Sequence, residues 1–428
     1  MQRINKAKSP TPGRFYYGWI ILGGSVLAMA LGSGISFWAF GLYIDPMEQE
    51  FGWSRAEVSA GFSISLAISG LCGPLIGRWV DTRGARSAIL FGAVMTAATY
   101  VLLATTSSLW QWIVYLSINA VFRQLMFFIP FQALISRWFD RRRGMALGIL
   151  GTGFSLGGFV VLIMAFVIDE VGWEGSFIFS AVAVLVLFLP LSIFVLKNDP
   201  SDVGAFVDGE SGEEAEERRR AGPRQGLTAR EALKTRLFWL QAGAMTLFFF
   251  GVFGWLVHQI PFYESVGVDR SVAAILVTIM AAGGIFARLT FGFFVDRFQR
   301  VEIAAMGLLT FLTTAFVVLL INSTAPGITI FLIFWIIGSG GGPLLEPLLI
   351  TRSFGLKHFA TILGTLGVVE TIGIVLSPTL TGLIFDSTGS YDLALAMLAA
   401  ALATAFVLFY FASRLPHPVD AMKAPKPT

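Results

Sequence analysis

Charge is what this chain has least of. Asp, Glu, Lys and Arg make up only 13% of its 428 residues, about half the share found in soluble proteins. With 55% hydrophobic residues and a mean hydropathy of +0.75, it cannot clothe a large soluble core. Cysteine is almost absent. Cys72 stands alone, so no disulfide forms within the chain, and nothing suggests a metal site. No Gly-Lys-Ser/Thr phosphate loop is found, which argues against an ATP-driven pump. No nucleophile–base constellation stands out either. The chain does not read as an enzyme, and no cofactor is implied.

What is present is 46 Gly, 40 Phe and a series of apolar runs along the whole length. Each run is about 20 residues, long enough to cross a bilayer as a helix. They predict an all-α integral membrane protein with twelve spans, the first run being a retained helix and not a signal peptide. Residues 1–196 form one six-helix bundle and 237–415 a second. Between them, 197–236 carries Glu213-Glu-Ala-Glu-Glu217 and Arg218-Arg-Arg220. That composition builds no core, so it reads as a solvated linker, and 416–428 as a disordered tail. Of the 30 Lys and Arg, 26 fall in the tails and loops of one side, and only Arg55 and Arg270 on the other. The asymmetry places linker, tail and both termini in the cytoplasm, and the chain as a multi-pass protein of the cytoplasmic membrane. Those cations flank the bilayer, so the net charge of +3 is no signal for nucleic acid.

The segment 283–300 ends in Gly292-Phe-Phe-Val-Asp296-Arg297. Gly77-Arg-Trp-Val-Asp81-Thr-Arg83-Gly84-Ala-Arg86 carries the same pattern about 215 residues earlier, half the chain length, as a repeat of two six-helix units requires. The earlier segment resembles the loop signature of the major facilitator superfamily. Within it, Trp138-Phe-Asp-Arg-Arg-Arg143-Gly-Met-Ala146-Leu-Gly148, Phe15-Tyr-Tyr-Gly18-Trp19, Glu50-Phe-Gly-Trp53-Ser54-Arg55 and Ala287-Arg288-Leu-Thr-Phe-Gly292 are similar to motifs of the monocarboxylate porter and oxalate/formate antiporter branch. The resemblance implies two pseudo-symmetric bundles around a cavity lined by the first, fourth, seventh and tenth helices. It makes Arg288 the carboxylate ligand, and the loops holding Asp81, Arg83, Arg86, Asp296 and Arg297 the conformational gates. One departure is the fourth run, usually Gly-rich, which here reads Asn119-Ala-Val-Phe-Arg123.

Arg123, Arg288, Glu346 and Glu370 lie inside apolar runs. A lone charge at the bilayer centre costs roughly 3 kcal/mol on insertion scales and about 10 or more in simulation, so these four should face a protein interior or a watery cavity. Arg123 follows Asn119 by one helical turn, and Trp335, Ser339 and Glu346 share a face, as do Gly251, Trp255, His258 and Phe262. The predicted substrate ligands are therefore Arg288 and Arg123 with Asn119, Trp335 and Ser339. The predicted proton sites are Glu370 first, then Glu346, which also reads as a partner for Arg352, then His258, which also reads as a wall residue. The four charges also read as static ion pairs holding the halves together. The function expected is alternating-access transport of a small organic carboxylate such as lactate or pyruvate, with proton symport. Its alternatives are an organic anion exchanger of oxalate/formate type or a dicarboxylate carrier. The expected partners are the anion, a proton and the bilayer, with the chain working as a monomer.

Overall fold

The computed structural model describes residues 16–210, 226–298 and 300–423. α1 is Tyr17–Ser36, and α2 is a bent pair, Arg55–Leu71 and Gly73–Arg83, turning by 48° at Cys72. α3 spans Ala85–Leu103, and α4 joins Leu109–Met126 to Phe128–Trp138 across a break at Phe127. The helical run Arg143–Pro190 contains Gly172 at φ +77°. That left-handed backbone suits glycine alone and splits the run into α5 (143–171) and α6 (173–190). α6 runs back along α1: Phe177 stacks on Tyr43 at 4.6 Å, and Leu191, just past its end, meets Gly24.

The second half repeats the plan. α7 is Arg236–Ser265, α8 Arg270–Val295 and α9 Val301–Ile321. α10 joins Ala325–Ser339 to Gly342–Ser353 across Gly340 and Gly341, and is followed by α11 (Phe359–Thr388) and α12 (Asp392–Ser413). The break in α10 sits at the repeat equivalent of the break in α4. Twelve helices among the described residues are thus long and apolar enough to cross a membrane, in two six-helix bundles. Leu75, Leu162, Phe194, Phe286 and Ile321 remain mostly exposed. An apolar outer face costs nothing in lipid, where close packing and hydrogen bonds bring helices together.

The bundles touch through glycine. A Cβ on Gly77 of α2 would lie 2.0 Å from the Ala360 carbonyl oxygen of α11, and one on Gly364 of α11 would lie 2.0 Å from the Gly73 carbonyl. On the other side, Gly292 of α8 presses on the Gly144 carbonyl of α5 at 2.6 Å by the same measure. These crossings lie toward the end where the basic loops gather, called the basic end below. A Gly77→Val substitution is expected to separate α2 from α11 and to cost about 1–3 kcal/mol. A lowered melting temperature and faster thiol labelling of the half-buried neighbour Cys72 would register it. Unchanged values of both would mean that the crossing carries no load.

Two segments differ from the sequence expectation. The described ends of the linker are docked and not free. Asp208 accepts hydrogen bonds from the Asp140 and Arg141 amides at 2.9 and 2.6 Å, and the Leu227 amide donates to the Phe354 carbonyl at 2.9 Å. The Glu213–Glu217 and Arg218–Arg220 clusters lie outside the described residues. The tail expected to be disordered from 416 is ordered to 423. Pro418–Lys423 is helical, and buried His417 places Nε2 3.2 Å from a Glu302 carboxylate oxygen. Glu302 is 1% exposed at the start of α9, and a carboxylate so placed requires donors. Gln241 at 2.8 Å and His417 both reach Oε1, while Oε2 has no partner among the described residues.

Candidate functional site

Arg288 sits where α5, α8 and α10 converge. Phe286, two residues earlier, points outward at 72% exposure, so the arginine faces the opposite way, toward α5. There the small residues Gly144, Gly148 and Gly151 recur at helical spacing and leave room for the α8 backbone. A Cβ on Gly148 would come within 3.0 Å of the Arg288 carbonyl. From the other side, Gly340 at the α10 break packs on Ala287 and on the Arg288 amide. The side chain then reaches α5. Its Nη1 donates to Ser155 Oγ and, at 3.4 Å, to the Gly151 carbonyl, while its Nε finds no partner. Both acceptors are neutral. A guanidinium offers five donors in a planar fork suited to a carboxylate, and most of this fork is uncommitted.

Arg123 is aimed elsewhere, into its own bundle. Its Nη1 donates to the Ser36 carbonyl of α1 at 3.1 Å, and Ser36 Oγ lies 2.8 Å from the Tyr100 hydroxyl of α3. With Asn119, Tyr43 and Trp112 it lines a void of about 20 Å³, room for a single water. Glu370 is buried at 3% exposure with Oε1 unpartnered, and Glu346 is half-buried. The two lie on neighbouring helices of the second bundle, Glu346 in the second part of α10 and Glu370 in α11. Neither glutamate pairs with either arginine or with Arg352 among the described residues, so the static ion pairs weighed on sequence grounds are not formed.

The model of the Major Facilitator Superfamily matches residues 26–345 and 259–428. The chain belongs to that superfamily. Among curated relatives, monocarboxylate transporter 2 of Mesocricetus auratus is 25% identical, covering 89% of this chain and 81% of its own length. Monocarboxylate transporter 13 of Bos taurus is 27% identical over 90% and 86%. Both are transporters, not enzymes. Among solved structures, the proton:xylose symporter XylE gives a TM-score of 0.74 at 12% identity over 95% of this chain and 99% of that one, and the fucose transporter FucP in its outward conformation gives 0.68 at 14% over 93% and 99%. At those identities the likeness is one of fold.

This superfamily member repeats one device at each bundle contact. Asp81, near the end of α2, accepts hydrogen bonds from the Ala360 and Thr361 amides at 3.1 and 2.8 Å and from Thr361 Oγ1 at 2.7 Å, at the start of α11. Asp296, at the end of α8, accepts from the Gly144 and Met145 amides at 2.7 and 3.1 Å, at the start of α5. Each carboxylate caps a helix N-terminus on the opposite bundle, where free amides and the helix dipole favour an anion. Burial pushes the Asp296 carboxyl up from the usual range, and the two amides draw it back down. Removing one cap costs about 0.5–2 kcal/mol. Asp81→Ala or Asp296→Ala is therefore expected to raise the population open at the basic end by roughly 2- to 30-fold. Spin-label distances across that end would measure it, and an unmoved distribution would remove the aspartates from any latch.

The remaining candidates serve within single bundles. Arg83 lies over the Trp79 ring at 4.5 Å, and Arg297 over Phe293 at 4.6 Å. Arg86 donates to the Ser192 and Ile193 carbonyls at 2.8 and 3.0 Å, fastening α3 to the end of α6. Asn119 is buried and donates to Thr99 Oγ1 at 3.0 Å. Trp335 is packed among Trp255, Phe316 and Phe331 with centroids 5.7–6.0 Å away, so the Gly251–Trp255–Phe262 face of α7 turns into its own bundle. His258 bridges the Tyr391 hydroxyl and the Pro378 carbonyl at 3.2 and 2.9 Å. Ser339 is half-buried beside the α10 break. Sequence reasoning missed Ser155 and Tyr100. The Gly144–Gly148–Gly151 spacing, extended by one turn, points to Ser155. Tyr100 carries no comparable signal.

Proposed function

We propose that this superfamily member carries a small organic carboxylate across the cytoplasmic membrane by alternating access, accompanied by a proton. One observation supports this above the others: Arg288, inside an apolar helix and at the contact of the two bundles, is held by neutral acceptors with most of its fork free. A cation in that setting gains most from an anion that arrives and leaves. The monocarboxylate transporters among its relatives favour the same cargo. The proton is assigned to Glu370, with Glu346 as the second candidate, because a buried carboxylate without a cationic partner is relieved by protonation as negative cargo enters. The basic end faces the cytoplasm on the charge asymmetry of the loops, and a single chain holds both bundles that alternating access needs.

Proteoliposomes under an imposed inward proton gradient, offered labelled lactate, pyruvate, oxalate and succinate, test the reading. Uptake of a carboxylate that rises with the gradient is expected. Uptake that ignores the gradient and requires internal carboxylate would replace symport with exchange. No uptake of any carboxylate would overturn the substrate class.

A further inference from the structure

The residue before Ser155 is Phe154, and four rings meet there. Phe154 lies 5.4 Å from Phe37, 5.6 Å from Trp38 and 5.6 Å from Phe128, while Phe37 and Trp38 lie 5.8 Å apart. They come from α4, α5 and the end of α1, within one bundle. The backbone holds them in place. The Phe154 carbonyl accepts from Trp38 Nε1 at 2.8 Å and from Ser33 Oγ at 3.1 Å. Placement so controlled is characteristic of a binding wall.

Coverage separates this cluster from ordinary core. Trp255, Phe316, Phe331 and Trp335 in the other bundle are all 5% exposed or less. Trp38 is 37% exposed, and Phe37, Phe128 and Phe154 are half-buried. On α5, Phe154 lies on a different side of the helix from the exposed Phe159, Ile163 and Phe166, at about 100° per residue. One of these half-covered rings, Phe154, directly precedes the hydroxyl that holds the guanidinium, and the other three pack around it.

We infer that the cargo is an aryl carboxylate, its carboxylate on Arg288 and its ring against Phe37, Trp38, Phe128 and Phe154. This rests on the carboxylate reading of Arg288 and narrows it. A short-chain acid such as lactate would meet the arginine and leave the rings uncovered. An aromatic body fills the wall, and the ring quadrupoles favour offset or edge-on contact with it.

Titration calorimetry of the full chain in lipid nanodiscs tests the inference, with 3-phenylpropanoate and propanoate as probes and empty nanodiscs to subtract partition into lipid. The phenyl acid is expected to bind tighter by roughly tenfold or more. Trp38→Leu and Phe154→Leu should each bring that ratio toward one, while Trp110→Leu, at a site 62% exposed, should leave it unchanged. A ratio near one in the native protein, or one that survives both substitutions, overturns the aryl assignment and leaves the carboxylate site standing. If neither acid binds, or both bind Arg288→Lys as tightly as the native chain, the carboxylate reading itself falls, and the aryl assignment with it.

Discussion

Arg288→Lys is expected to reduce carboxylate uptake by roughly 10- to 100-fold, since the second hydrogen bond to a charged carboxylate that is lost is worth about 1.5–3 kcal/mol. The positive charge survives the change, so the loss isolates geometry. The guanidinium fork matches both oxygens of a carboxylate at once, whereas an ammonium is a compact point charge. Lysine would also forfeit the present arrangement, in which one nitrogen holds Ser155 and the Gly151 carbonyl while the rest stay free. Initial rates in proteoliposomes, beside a melting curve showing that the variant is folded, give the measurement. Native rates in the lysine variant would remove Arg288 as ligand.

Glu370→Gln should separate cargo movement from the proton. The amide keeps the shape of the side chain and cannot take up a proton. Accumulation driven by an inward proton gradient is expected to fall to the level seen without one, and exchange of labelled for unlabelled carboxylate at equal pH is expected to persist. The basis is positional: Glu370 is 3% exposed and has an unpartnered oxygen. The amide is neutral whatever the proton gradient, which is why binding should survive where coupling does not. Gradient-driven accumulation that persists in this variant would move the proton site elsewhere, and Glu346→Gln measured in parallel would show whether it moved there.

The repeat was legible because it rests on spacing. Asp81 and Asp296 lie about 215 residues apart, as repeats of a two-bundle carrier do, and each ends beside a helix start of the other bundle. Arg288 was legible because a charge in an apolar run demands an explanation. Helix faces were not. Asn119, Trp335 and His258 share faces with other candidates, but a face of a membrane helix has three destinations: lipid, its own bundle, or the cavity. In water the polar stripe tells inside from outside. In lipid the outside is as apolar as the packed interior, so periodicity groups residues without saying where a group points.

The order of spans, their number and the gathering of basic loops at one end were therefore determined by the chain alone, since each depends only on length and local composition set against a bilayer of fixed thickness. Where Arg123 reaches, why Ser155 rather than a glutamate meets Arg288, how His417 becomes buried on Glu302 and which rings stay uncovered were decided only by the tertiary structure. Those outcomes depend on the rotation of each helix about its axis, and small residues such as Gly77, Gly148 and Gly340 set that rotation by how closely they let neighbouring backbones approach.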